Sequence, residues 1–353
     1  MGSAAVPVVV GIDNGGTSNN ATVLTLDGRF LVDRLVETPS EVLAGPEAAV
    51  EAMARAFEGV LALTGVLRAQ VRAVGLDTPG PASATGVISS KGSTNFSQPA
   101  WRGYDIRGAL ERRLGLPVLY HNDGNAAALY AHHVHFGADA MRRSSVSAIV
   151  GTGLGGGLIE EGRVIAGAAG MAGELGHVHI PLAEVLAPRQ PVPICACGFA
   201  GDVESIASLT AIERNLLPYW LARFPEHPLA DVPPARAARL VRDHGERGDE
   251  LAREIFAQQA RALGALFTIA ANFTDPHAYF VGGGVVETVP EFRDWFLATV
   301  RQHTRLRAEQ AALATFALVP DRDMAGARGV ALAALEAVRA EPPPPPPPPL
   351  VGG

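Results

Sequence analysis

A chain of 353 residues that is 48% hydrophobic holds enough apolar material for two domains or one large one. Its formal net charge of -7 argues against a nucleic-acid binder, which needs a basic face, and no apolar run reaches the ~18 residues of a membrane span. Its two cysteines are separated by a single residue and make no disulfide framework, and the opening MGSAAVPVVVGID has no basic region ahead of its apolar run, so no signal peptide and a reducing, cytoplasmic setting are expected.

Residues 6–13 form a β-branched run that reads as a buried strand. Asn14-Gly15-Gly16-Thr17 is a turn signal. A second strand is expected over 21–26, a hairpin turn at Asp27-Gly28 and a third strand over 29–32, so the chain opens as an antiparallel meander. A Rossmann domain would instead follow its first glycine loop with a helix. Pro46 suits a first helical turn, and Val50, Met53, Phe57 and Val60 recur at helical spacing, which predicts a helix over 46–63. A strand over 71–77 runs into the loop Thr78-Pro79-Gly80-Pro81. A helix over 105–114 and a strand over 117–120 lead to His121-Asn122-Asp123-Gly124-Asn125, ahead of a helix over 126–136. A polar cluster between strand end and helix is where α/β folds place ligands.

A strand over 146–150 precedes a second glycine-rich turn over 151–157 and a hairpin over 158–165 around Glu161-Gly162. Strand, glycine turn and strand therefore occur twice, near residues 11 and 150, as a weak internal repeat. Helices dominate from 203, the longest over 251–273. A strand over 278–281, a third glycine turn at 282–284, a helix over 292–300, a strand over 315–319 and a closing helix over 324–340 complete the pattern. The proline run 342–349 cannot pack a core, so 341–353 is expected to be an extended, disordered tail.

Four constellations carry chemistry, and each has a plain alternative. Asp13 through Thr17 reads as a hairpin turn or as a phosphate-gripping turn, with backbone amides and Thr17 as donors and Asp13 near a magnesium ion. Two such turns can clamp one nucleotide. Asp123 is either a helix cap or a general base, with Asn122 and Asn125 orienting hydroxyls. Glu174 and His177 are surface groups or site groups. Cys195 and Cys197 are two ordinary thiols or half of a zinc site; zinc takes about four ligands, His177 gives a third, and Asp202 is the nearest fourth.

Taken together, GIDNGGT at 11–17, DTPGP at 77–81, HNDGNAAA at 121–128, VGTGLGGG at 150–157, GELGH at 173–177, CACGFAGDVE at 195–204 and DPHAYFVGGG at 275–284 resemble the ROK family of sugar kinases and sugar-responsive repressors. The resemblance implies an α/β, two-domain actin-like ATPase (ribonuclease H-like) fold with an interdomain cleft. Its domains would span 5–121, completed by the helix 324–340, and 122–320. It implies ATP and Mg2+ on Asp13, Gly15, Gly16, Thr17, Gly151, Thr152, Gly153 and Gly155, with Gly283 near the nucleoside. A hexose or N-acetylhexosamine would meet Asn95, Asn122, Glu174, His177 and Glu204, and Asp123 would be the base for transfer to the 6-hydroxyl. Zn2+ would take His177, Cys195, Cys197 and Asp202. A homodimer without nucleic-acid or membrane partners is implied. The alternative is a sugar-binding regulator of the same family without a DNA-binding domain.

The chain departs from the family pattern at three places. Ser18-Asn19-Asn20 follow GGT where the family carries lysine, which removes a positive charge from beside the phosphates. Asp202 stands where the family has a third zinc cysteine, giving a harder site. The loop between His177 and Cys195 is long and holds four prolines.

Overall fold

The computed structural model describes residues 6–80, 82–89 and 96–340. The expected Pro81, the sugar contact Asn95 and the tail 341–353 lie outside the described residues. In chain order the strands β1 (Val8–Asn14), β2 (Ser18–Thr25) and β3 (Glu37–Pro39) open the fold, followed by α1 (Pro46–Thr64), β4 (Val71–Thr78), α2 (Ile106–Leu114) and β5 (Val118–Asn122). Next come α3 (Asp123–Phe136), β6 (Ser145–Val150), β7 (Leu154–Glu160) and β8 (Arg163–Val164). The short α4 (Leu209–Ala211) and α5 (Leu217–Leu221) precede α6 (Pro234–Glu246), α7 (Glu250–Thr274), β9 (Ala278–Gly283), α8 (Pro290–His303), α9 (Ala308–Leu313), β10 (Thr315–Leu318) and α10 (Arg322–Ala340).

Two five-stranded sheets form, in the orders β3-β2-β1-β4-β5 and β10-β9-β6-β7-β8. In each, an antiparallel hairpin carries a short third strand, and two further strands add in parallel on the other side. Matching β1 with β6 and continuing outward makes the two sheets the same design. The weak repeat in the sequence is thus a repeat of topology, held by hydrogen-bond pattern rather than by identical side chains.

The helices that leave the two sheets are exchanged. α3 follows β5 of the first sheet, yet it packs on β7 of the second. Its Gly124 faces the Gly156 backbone, and a Cβ there would lie 2.6 Å from the Gly156 nitrogen. α10 follows β10 of the second sheet, yet it lies on β1 and β4 of the first, against Gly11 and Gly75. A shared apolar layer joins Val9, Leu24 and Ala73 to Leu129, Ala331 and Leu335 from the two helices. The helices cross where Gly329 meets Ala126, and a Cβ on Gly329 would stand 1.8 Å from the Ala126 carbonyl oxygen. Alanine normally favours a helix interior over glycine. Here Gly329→Ala should instead lower stability by about 3 kcal/mol through overpacking, read as a lower urea midpoint at unchanged m-value.

The first sheet buries Val10, Ile12, Val74 and Leu76 against Phe57 of α1 and Leu110 of α2. The second buries Val146, Tyr279 and Val281 against Leu263 and Phe267 of α7. α7 is capped by Asp249, which accepts the Ala252 N–H at 2.9 Å. Its buried Gln258 accepts the Trp220 indole N–H at 2.8 Å, so this polar group costs little in the core.

Three local expectations are corrected. The third strand of the meander is 37–39, not 29–32, because after the turn at Gly28 only Leu24 and Phe30 form an isolated bridge. The glycine run 151–157 is not one turn: Gly151 to Gly153 make the turn, and Gly155, Gly156 and Gly157 lie within β7. Their lack of a side chain lets α3 approach, since a Cβ on Gly157 would be 2.7 Å from that of Ala128. α3 begins at Asp123 rather than 126, because Asn122 supplies the cap.

Candidate active site

The C-terminal ends of β1 and β4 and the start of α3 meet at one cleft. At β1, the turn after Asp13 closes with the Gly15 N–H on the Ser18 carbonyl at 2.9 Å, and Thr17 is exposed at its tip. Asn19 and Asn20 are buried in β2 and committed to the fold. Asn19 accepts the Asn14 amide at 2.6 Å, and Asn20 donates to the Asp323 carbonyl at 2.8 Å. Burial pushes Asp13 up to about 6; a hydrogen bond with Asp77 offsets part of this, and the charges of Asp123 and Glu37 add to it. Asp77 is fully buried and held well above the usual carboxylate range, first by burial and then by the charges of Asp13 and Asp123. Protonated, Asp77 donates to Asp13; ionised, it has the Asn14 backbone N–H beside it but no side-chain donor.

Asn122 caps α3 by accepting the Asn125 N–H at 2.7 Å. Asp123 is therefore released from capping and occupies the first helical position, where its Oδ1 accepts the Gly124 N–H at 2.8 Å. The cleft leaves the Asp123 side chain open to solvent, while protein surrounds it in every other direction. That surrounding mass pushes its pKa up to about 6, the Gly124 N–H lowers it in part, and the nearby Glu174 carboxylate raises it again. Glu174 accepts the Asn122 amide at 3.3 Å, so Asn122, Asp123 and Glu174 form one polar cluster. The neighbouring His121 is kept neutral, its pKa pushed down to about 4 by burial.

The second glycine turn stands opposite. Gly151 donates to the Gly153 carbonyl at 2.9 Å, and the Gly151 and Thr152 carbonyls accept the Leu209 and Thr210 N–H groups at the start of α4. Gly283 ends β9 at φ 86°, a left-handed conformation that favours glycine, and a Cβ there would stand 2.2 Å from the Val150 carbonyl oxygen. Beside this turn lies a cavity of about 380 Å³, lined by Thr152, Ile212, Phe256 and Gly284, with Arg239 and Arg242 from α6. Its size and its apolar walls with a few cationic donors suit a nucleoside. Arg242 donates to the Gly284 carbonyl at 2.9 Å, and its Nε lies 4.0 Å from Glu246 Oε1. Sequence reasoning missed both arginines; their spacing of three on a helix was the available signal.

The residues of the fourth constellation converge. His177 Nδ1 lies 3.1 Å from Asp202 Oδ2, 3.6 Å from Cys197 Sγ and 3.9 Å from Cys195 Sγ, and Cys197 Sγ lies 3.9 Å from Asp202 Oδ2. All four ligand atoms lie within 4.8 Å of one another. A tetrahedral zinc with bonds of about 2.0–2.3 Å needs edges of roughly 3.3–3.8 Å, so the donor set fits. Asp202 is held in place, since its Oδ1 accepts the Ser205 N–H at 2.8 Å. Glu204 connects this cage to the second glycine turn: its Oε2 accepts the Leu154 N–H at 2.8 Å and its Oε1 the Cys195 thiol at 3.2 Å. The expected sugar contact Glu204 thus already bonds to protein at both oxygens.

A second histidine cluster does not fit a metal. His227, His244 and Asp249 lie together, but His227 Nδ1 accepts the Leu229 N–H at 3.1 Å. Its other nitrogen then carries the proton and donates to Asp249 at 2.9 Å, which braces the cap of α7.

Comparison with known proteins gives the family and the fold. A family model described as the ROK family matches residues 9–337. A glucokinase of Streptomyces coelicolor is 32% identical over 289 residues, covering 79% of this chain and 82% of that one. An N-acetylmannosamine kinase of Escherichia coli O7:K1 is 31% identical over 329 residues, covering 92% and 97%. Among solved structures, a ROK hexokinase from Thermus thermophilus superposes with a TM-score of 0.73 at 32% identity, over 94% of this chain and 99% of that one. A ROK glucokinase from Streptomyces griseus, in complex with glucose and AMPPNP, gives 0.66 at 28% identity, over 93% and 99%. The fold is the two-domain α/β arrangement of actin-like ATPases.

Proposed function

The chain belongs to the ROK family, and from that membership we propose that it is an ATP-dependent sugar kinase. The substrate is a hexose or an N-acetylhexosamine, phosphorylated at the 6-hydroxyl. The observation that carries this reading is Asp123: freed from capping by Asn122, open to the cleft, and tuned to about 6, so that it is mostly ionised at neutral pH and ready to accept a proton. The hydroxyl oxygen attacks the γ-phosphorus as its proton passes to Asp123, the bond to the β-phosphate oxygen breaks, and ADP leaves. Asp13 and the turn amides of Gly15, Gly16 and Thr17 face the phosphates on one side, and Gly151, Thr152, Gly153 and Gly155 on the other. Gly283 and the adjoining cavity take the nucleoside. Magnesium supplies charge neutralisation when bound.

Asn122, Glu174 and His177 orient the sugar, with Asn95 and Glu204 as further contacts. His177, Cys195, Cys197 and Asp202 would hold a zinc ion, which would fix the His177 ring and leave its other nitrogen free for a sugar hydroxyl. We divide the chain into domains at 5–121, completed by α10, and 122–320. A cytoplasmic homodimer is the state we expect.

A coupled ADP-release assay over a panel of hexoses and N-acetylhexosamines tests the proposal. Release that depends on one sugar supports it; binding of sugars without any release turns the reading to a sugar-binding regulator. That second reading draws on one observation, the absence of lysine after Thr17, where Asn19 and Asn20 are locked into β2. Arg242→Ala should raise the KM for ATP about tenfold, the loss of one charge-assisted contact, while sugar affinity in a direct binding assay stays unchanged.

A further inference from the structure

One buried carboxylate in the cleft has no part in the chemistry above. β1 and β4 run parallel with Asp13 opposite Asp77 in register. Register partners on neighbouring strands project to the same face of a sheet. Both carboxylates therefore lie on the face that α10 covers. A Cβ placed on Gly326 of α10 would stand 2.7 Å from Asp13 Oδ2 and 2.7 Å from Asp77 Oδ2, so the two oxygens converge on one spot. Asp77 is fully buried, and among the described residues no side-chain donor reaches it when it is ionised; the Asn14 backbone N–H alone offsets part of its charge. Among the described residues no arginine, lysine or histidine acts on either acid.

A fully buried carboxylate with no cationic partner is costly to keep ionised, so a purely structural role would be served better by an apolar side chain. Two convergent carboxylates at the foot of a phosphate turn suit a hard cation. Magnesium takes one or two carboxylates and completes its shell with phosphate oxygens and water. Asp13 is only half-buried and opens onto the cleft beside Gly15 and Gly16, which gives such an ion a path in.

We propose that Asp77 is a metal ligand: with Asp13 it holds the divalent cation that accompanies the nucleotide. This rests on the nucleotide reading of the cleft. It assigns a position that the short phosphate-turn motif does not contain, since Asp77 lies on a different strand.

The test uses Mn2+ in place of magnesium on the full chain, without nucleotide. Manganese-soaked crystals of the wild type should show an anomalous peak bridging the Asp13 and Asp77 carboxylates. In solution, Mn2+ titration followed by electron paramagnetic resonance should give one such site, weakened at least tenfold in Asp77→Asn with the unfolding midpoint no lower than wild type. Anomalous density on Asp13 alone, or equal affinity in a folded Asp77→Asn, overturns the proposal and leaves a shared proton as the occupant. If Asp77→Asn does not fold, the wild-type anomalous map decides by itself. Sugar-dependent ADP release separates the two claims: release with no manganese at Asp77 sinks only this ligand, and manganese at the pair without release sinks only the kinase.

Discussion

Asp123→Asn should lower kcat by about 1000-fold, the size expected when a general base is removed, while sugar binding and the fold persist. The structure says why the fold should survive. Asn122, not Asp123, caps α3, and an asparagine at 123 keeps an oxygen for the Gly124 N–H. Stability even offers a control. Crowding by protein raises the folded-state pKa of Asp123 to about 6, so ionising it costs the folded state more than the unfolded one. That cost sets in as pH rises above the unfolded value near 4 and is complete above about 6. The variant should then melt no lower than the wild type at pH 8. In the wild type, kcat/KM should be flat above pH 7 and fall about tenfold per pH unit below pH 6, because only the ionised carboxylate accepts the proton. Turnover in Asp123→Asn equal to that of the wild type would remove Asp123 from the mechanism.

What the sequence made legible was chemistry packed at short range. Asn122 and Asp123 are adjacent, Glu174 and His177 are three apart, and Cys195 to Glu204 spans ten residues, so residue type and local spacing sufficed to single them out. Helices with clear periodicity, such as α1 and α7, were equally plain. What escaped depended on long-range register or on one helix meeting a distant loop. Asp77 becomes interesting only when β4 pairs with β1 and puts it across from Asp13, 64 positions away. Arg239 and Arg242 gain a setting only when the end of β9 brings Gly284 to Arg242 and both line one cavity. The run 151–157 was read as one turn because glycine is depleted in strands. In β7 it is retained for close approach by α3, a reason that only packing reveals. The third strand shifted for a similar cause: alternation around Gly28 predicts pairing, but nothing local says where the returning chain leaves the sheet.

Loss of the zinc cage should have the second largest effect on turnover. Chelation, or Cys195→Ser, should remove one zinc per chain and lower kcat/KM for sugar by about 10- to 100-fold, chiefly through KM. Two connections set this expectation. His177 turns Nδ1 toward Asp202 and both cysteines, so a bound metal would fix the ring that we propose meets the sugar. Cys195 Sγ also lies 3.2 Å from Glu204 Oε1, and Glu204 holds the Leu154 N–H beside the second glycine turn, so disorder at the cage would reach that turn. Asp202→Cys sharpens the test. A thiolate should tighten zinc relative to the carboxylate, but cysteine cannot replace the bond from Asp202 Oδ1 to the Ser205 N–H. The variant should therefore bind zinc more tightly in a competition titration while its unfolding midpoint falls. Elemental analysis comes first: protein expressed with ample zinc but carrying none, whose sugar affinity is untouched by Cys195→Ser, would show that the four side chains gather without a metal and that His177 is positioned by Asp202 alone.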